Sequence, residues 1–213
     1  MMLFSKNIIR SFVDLPNHTS LIINTIGCNL HCYKCFNYKA LVSDVNETET
    51  CDKMYILSQV KQNGYLSDAI ILSGGEFLLN KSSDIAVFLE DLKAYYDGLI
   101  IVNTNGCFPE KMRKIRHLID GFHTDMKLPY QYIDSEGDAE IIKLTLGEVV
   151  DVNKMAQSVE FTVESDSGYS QIRSVQYPFL DLDVFEDNKK YIAGLNNKYH
   201  KNTPYYANEF ISI

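Results

Sequence analysis

Short runs of consecutive apolar residues alternate along this chain with longer stretches whose apolar positions recur every three or four residues, and that alternation predicts its architecture. Residues 21–24 (Leu-Ile-Ile-Asn), 69–72 (Ala-Ile-Ile-Leu), 99–102 (Leu-Ile-Ile-Val) and 122–125 (Phe-His-Thr-Asp) read as the first four strands. The first three are continuous apolar runs, the first closing on Asn24, which suits a parallel sheet covered on both faces. Between them, residues 52–63, 83–96 and 109–119 carry helical periodicity. Ser82 or Ser83 is placed to cap the second helix, and Pro109 fits the first turn of the third. This β-α-β-α order predicts an α/β fold with right-handed crossovers and a sheet that curls toward a barrel. Later strands are expected at 159–163 and 206–211. Neither repeats nor low-complexity linkers interrupt the pattern.

Composition changes this picture little. With 213 residues, 46% hydrophobic and 23% charged, the chain is read as one domain over 1–213, with a core at about 18–165 and a variable segment at 166–213. Asp14 closely follows Lys6 and Arg10 and breaks any signal-peptide core, and no run of 18 apolar residues occurs, so a cytoplasmic protein with no membrane partner is expected. A formal net charge of −8 argues against unspecific nucleic-acid binding.

The chemistry is concentrated in Cys28, Cys32 and Cys35, spaced C-x3-C-x2-C directly after the first strand. An electron-transfer [4Fe–4S] cluster takes four cysteines and a structural zinc takes four cysteine or histidine ligands, so three thiolates leave one metal position for a small chelating group. A zinc site would need His31 or the distant Cys51, but His31 lies between two of the cysteines and no second pair completes a tetrahedron. The odd count of five cysteines argues against a disulfide framework. Cys51 and Cys107 are read as structural thiols. His123, within the fourth strand, is expected to be packed or solvent-facing.

Three further segments also follow strands directly: Ser73-Gly74-Gly75-Glu76, Asn103-Thr104-Asn105-Gly106 and Asp125-Met126-Lys127. In a β/α barrel such positions share the rim where barrel enzymes build their sites. Gly74 and Gly75 allow the backbone a close approach, and Lys127 is a point charge suited to a carboxylate.

The cysteine spacing resembles the cluster loop of the radical S-adenosylmethionine (SAM) superfamily, and the other segments resemble motifs of its glycyl-radical activating enzymes. The lead-in Ser11-Phe12-Val13-Asp14-Leu15-Pro16 resembles that of anaerobic ribonucleotide reductase activating proteins. The likeness covers most of residues 8–165, where Glu160-Phe161-Thr162-Val163 resembles a later strand. It implies a partial (β/α)6 barrel, with Cys28, Cys32 and Cys35 holding a [4Fe–4S] cluster whose fourth iron is chelated by SAM. Gly74, Gly75 and Glu76 then surround the SAM amino group, with Phe77 in place of the usual proline. Asn103, Thr104, Asn105, Asp125 and Lys127 contact the methionyl and ribosyl parts. Asn103 stands where the group usually has aspartate, leaving Asp125 as the one carboxylate for a cation. Tyr33 and Lys34 occupy the stretch whose aromatic residue usually packs on adenine, and Lys34 itself stands at the aromatic position. The implied activity is reductive cleavage of SAM to a 5′-deoxyadenosyl radical, with an electron from a flavodoxin-like or ferredoxin-like donor. The implied partner is a glycyl-radical enzyme such as anaerobic ribonucleoside-triphosphate reductase. Two alternatives share parts of the pattern: a radical SAM enzyme acting on a small molecule or peptide, such as a deazapurine synthase, and a non-catalytic Fe–S or zinc module.

Overall fold

Six parallel strands, three in each of two compact units, form the framework of the protein in a computed structural model that describes residues 2–211. Among the described residues, the first unit comprises 2–29, Asn37–Asn103 and Lys114–Asp120, and the second Leu30–Phe36, Thr104–Arg113 and 121–211.

In the first unit, β1 (Phe4–Ser5) and β2 (Ile9–Ser11) pair antiparallel with β3 (Ser20–Thr25), and β4 (Thr50–Cys51) pairs antiparallel with β1. Strand β3 runs parallel to β5 (Ala69–Gly74), which runs parallel to β6 (Leu99–Thr104). Ile23, Ile70, Ile71, Leu72, Ile100, Ile101 and Val102 are fully buried, as their unbroken apolar runs require. Helix α1 (Lys53–Asn63) is capped by Asp52, whose carboxylate accepts the Tyr55 N–H. Helix α2 (Ser82–Lys93) follows β5 and buries Ile85, Phe88, Leu89 and Leu92. Its N-cap is Lys81, without a side-chain bond, so neither Ser82 nor Ser83 serves as the cap. Helix α3 (Pro109–Ile115), whose residues 109–113 belong to the second unit and 114–115 to the first, begins at its proline and tightens into a 3₁₀ turn over Arg116–Leu118.

In the second unit, β7 (Gly121–Asp125), β8 (Gln171–Gln176) and β9 (Tyr205–Glu209) are parallel neighbours. Helix α4 (Ala139–Leu146) ends at Gly147, which takes the left-handed conformation at φ +77°. Helix α5 (Val152–Glu164) covers β7 through Thr162 against Thr124 (2.6 Å between hydroxyls) and Phe161 against Phe122. Helix α6 (Leu182–Tyr199) reaches β8, where the Asn188 amide donates to the Ser174 hydroxyl.

The segment 159–163 is helical, which corrects the strand expected there. Val159, Phe161, Thr162 and Val163 favour strands as single residues, but Val152, Met155, Val159 and Thr162 bury one stripe at helical spacing, and Asp151 caps the start by accepting the Asn153 N–H. Burial of that stripe outweighs local propensity. The last strand ends at Glu209 rather than at 211.

Candidate functional site

In the first unit, the loops after β3 and β5 are fastened together by their backbones. The Gly75 N–H donates to the Thr25 carbonyl at 2.9 Å, and the Glu76 N–H donates to the Gly27 carbonyl at 2.8 Å. Gly74 has φ +107°, and a Cβ there would collide with the Thr25 backbone. The two glycines therefore bring the β5 loop onto the base of the cysteine loop, at residue 28. Glu76 is 1% exposed, and its carboxylate accepts the Leu78 N–H at 2.9 Å, capping a 3₁₀ turn over Phe77–Leu79. Phe77, the residue in proline's place, is fully buried. Asn103, near the end of β6, donates from its amide to the Ser73 hydroxyl at 2.9 Å. Its carboxamide oxygen is buried and has no hydrogen-bond partner among the described residues. A buried acceptor without a donor costs free energy, so the site calls for one.

In the second unit, the loop 30–36 is pinned to the end of α4. The His31 N–H donates to the Leu146 carbonyl (3.0 Å) and the Tyr33 N–H to the Thr145 carbonyl (3.1 Å). The Cys35 N–H donates to the Cys32 carbonyl at 3.1 Å, and Lys34 between them lies in the left-handed region at φ +43°. The segment after β6 turns on its own side chains: the Gly106 N–H reaches the Thr104 hydroxyl and the Cys107 N–H reaches the Asn105 amide oxygen at 3.0 Å. Thr104 and Asn105 thus shape the turn.

Asp125 and Lys127 form an ion pair at 2.9 Å, with the lysine side chain 9% exposed. Burial alone would lower the Lys127 pKa, but Asp125, Tyr177 and Cys32 outweigh it and hold the ammonium well above its ordinary range. Tyr130 accepts the Lys127 N–H, and burial raises its phenol far above the usual value. Tyr177 follows β8 directly, and burial pushes it up to about 12, with Cys32, Asp125 and Cys35 acting in the same direction against Lys127. The sequence analysis missed Tyr177; its one signal is position, immediately after the strand it did not find.

Three thiols in one short loop are a ligand set that suits an iron–sulfur cluster, and in the second unit the buried Lys127 ammonium is electrostatically coupled to Cys32. No disulfide is formed among the described residues, and no three His, Cys, Asp or Glu side chains are gathered into a ready-made metal cage. Cys28 belongs to the first unit, and Cys32 and Cys35 to the second. Cys51 contacts the Phe4 carbonyl, and burial raises its thiol pKa, as suits a structural cysteine. His123 is buried in β7, as expected of a packed residue. The Ser11–Asp14 spacing belongs to a turn: the Ser11 hydroxyl binds the Asp14 carboxylate at 2.5 Å and accepts the Val13 and Asp14 N–H groups.

Residues 19–140 match the 4Fe-4S single cluster domain, and the chain belongs to that family. Its fold is that of the radical SAM enzymes. The structure of native anSMEcpe with bound AdoMet is similar with a TM-score of 0.55 at 16% identity, covering 85% of this chain and 48% of that one. Coproporphyrinogen III oxidase (HemN) from Escherichia coli, a radical SAM enzyme, gives a TM-score of 0.54 at 12% identity, covering 87% and 43%. In sequence, the "putative glycyl-radical enzyme activating enzyme" of Methanocaldococcus jannaschii is 26% identical over an alignment of 151 residues, with 68% of this chain and 60% of that protein covered. The match thus spans about three fifths of the curated relative. Among the described residues, no helix is long and apolar enough to cross a membrane.

Proposed function

We propose that this protein is a cytoplasmic radical SAM enzyme that activates a glycyl-radical enzyme, with Cys28, Cys32 and Cys35 as the cluster ligands. The observation that carries the reading is the three-thiolate loop at the end of β3, within the part of the chain that matches a single-cluster 4Fe–4S domain. When bound and reduced, the cluster supplies the electron that breaks a sulfonium C–S bond of SAM, releasing methionine and a 5′-deoxyadenosyl radical that takes a hydrogen atom.

The remaining steps belong to the chain. Gly74 and Gly75 set the backbone against the cysteine loop, and Glu76 fixes the turn that follows. Together they form the surroundings of the SAM amino group. The unpartnered Asn103 oxygen accepts a hydrogen bond from SAM. Thr104 and Asn105 hold the turn beside it. Lys127, kept protonated by Asp125, pairs with the SAM carboxylate. Tyr33 and Lys34 flank the site from within the cysteine loop. The similarity to the archaeal protein supports a glycyl-radical enzyme as the hydrogen donor. A flavodoxin-like or ferredoxin-like protein supplies the electron.

The test is anaerobic incubation of reconstituted protein, SAM and reductant with a glycyl-radical enzyme from the same genome. A glycyl doublet in the electron paramagnetic resonance spectrum of the partner is expected. SAM cleavage without any such doublet would direct the assignment to a small-molecule or peptide substrate.

A further inference from the structure

Four aromatic rings meet around the cysteine loop of the second unit. Tyr33, between Cys32 and Cys35, meets Phe179 edge-on at 5.0 Å and Tyr177 at 6.1 Å, and lies 5.8 Å from Phe210. Tyr177 and Phe179 stack at 5.5 Å with an interplanar angle of 11°, and Phe210 closes the group 5.9 Å from Tyr177. Such pairs contribute beyond the area they bury. Tyr177 and Phe179 follow β8, and Phe210 follows β9, so three of the four rings come from the C-terminal third of the chain. Beside them, Lys34 sits at φ +43°, a conformation that is unfavourable for a residue with a Cβ and persists only where its surroundings hold it. Within the loop the Cys35 N–H donates to the Cys32 carbonyl, and the His31 and Tyr33 N–H groups donate to the end of α4.

We propose that Tyr177, Phe179 and Phe210 form an aromatic clamp that seizes Tyr33 and positions the Cys32–Cys35 segment for ligation, walling off the half-buried Cys32 while Cys35 stays exposed. The clamp follows from the ring geometry alone; its effect on a cluster rests on the function proposed above. A water-poor wall disfavours the extra negative charge that reduction adds to a thiolate-bound cluster, so the clamp holds the reduction potential low. Tyr177 is a positioning residue in this account.

The experiment compares Tyr177→Leu, Tyr177→Phe and Phe210→Leu with the unaltered chain, and uses Tyr132→Leu, an exposed aromatic of the same unit, as the control. In metal-free protein, alkylation of Cys32 is expected to be about tenfold faster in Tyr177→Leu, the equivalent of ~1.4 kcal/mol in loop opening. It should be unchanged in Tyr177→Phe, which keeps the ring. After reconstitution, the midpoint potential should become less negative in the Leu variant alone of that pair. Phe210→Leu, after β9 rather than β8, reports the same contrast if Tyr177→Leu fails to fold. Cys32 reactivity and potential equal to the unaltered protein in both Leu variants would overturn the clamp. A protein that takes up no cluster yet keeps the alkylation contrast would sink the functional reading and leave the clamp standing.

Discussion

Gly75 lies directly against Gly27: a Cβ on Gly75 would overlap the Gly27 carbonyl oxygen, the same oxygen that accepts the Glu76 N–H at 2.8 Å. The Gly-Gly pair is thus required by loop-on-loop packing, and this packing joins the β5 loop to the start of the cysteine loop. Gly75→Ala meets backbone that no rotamer change can relieve, and it is expected to cost about 3 kcal/mol. Gly194 in α6 has nothing within 4 Å of an added Cβ, so Gly194→Ala should instead stabilise by about 0.5–1 kcal/mol. Denaturant titration of both variants checks the contrast, and equal shifts would refute it.

Iron and sulfide content separates ligands from bystanders. Cys28→Ala, Cys32→Ala and Cys35→Ala should each abolish cluster assembly. Cys51→Ala should retain it, because that thiol is occupied with the Phe4 carbonyl. Iron loss in the Cys51 variant equal to that in the other three would reassign the ligand set.

Lys127→Met removes a buried ammonium from Asp125 and from the SAM carboxylate it is assigned. Hydrogen bonds to charged groups contribute roughly 1.5–3 kcal/mol, so SAM affinity should fall about 10–100-fold while iron content is retained. Equilibrium dialysis with SAM measures this directly. Unchanged affinity would free Lys127 from the cofactor and leave the ion pair structural.

His123 makes stability depend on pH. Burial, and secondarily Arg173, hold its pKa well below the ordinary histidine value, with the Tyr169 backbone opposing them. The unfolded imidazole titrates near 6.5, above the folded one, so the unfolded chain takes up the proton first. The contribution is full above about pH 6.5 and is lost as pH falls through the folded value, at up to ~1.4 kcal/mol per pH unit. His123→Leu should flatten the loss of stability between about pH 7 and 5.5. Parallel declines in the two proteins would contradict this origin.

What the sequence made legible follows the strength of its patterns. The apolar runs of β3, β5 and β6 are short and rich in isoleucine, which favours buried strands over helices, and the motifs directly behind them were found for that reason. Strand β8 alternates Gln171, Ile172, Arg173, Ser174, Val175 and Gln176, too polar and short to stand out. Helix α6 buries Phe185, Asn188, Ile192 and Leu195, and Asn188 breaks the apolar stripe because its amide is needed at Ser174 and the Met126 carbonyl. With β8 unseen, Tyr177 and Phe179 had no strand end to mark them. Asn105 was marked by the resemblance of its motif, and what the sequence did not show is that its amide oxygen also accepts the Cys107 N–H of its own turn.

The central claim is tested most directly by electron paramagnetic resonance of the anaerobically reconstituted, reduced protein with and without SAM, joined to an assay for 5′-deoxyadenosine. The account predicts a [4Fe–4S]+ signal that shifts when SAM is added, with 5′-deoxyadenosine formed. A protein without a cluster, or a cluster whose signal ignores SAM and forms no 5′-deoxyadenosine, would contradict it.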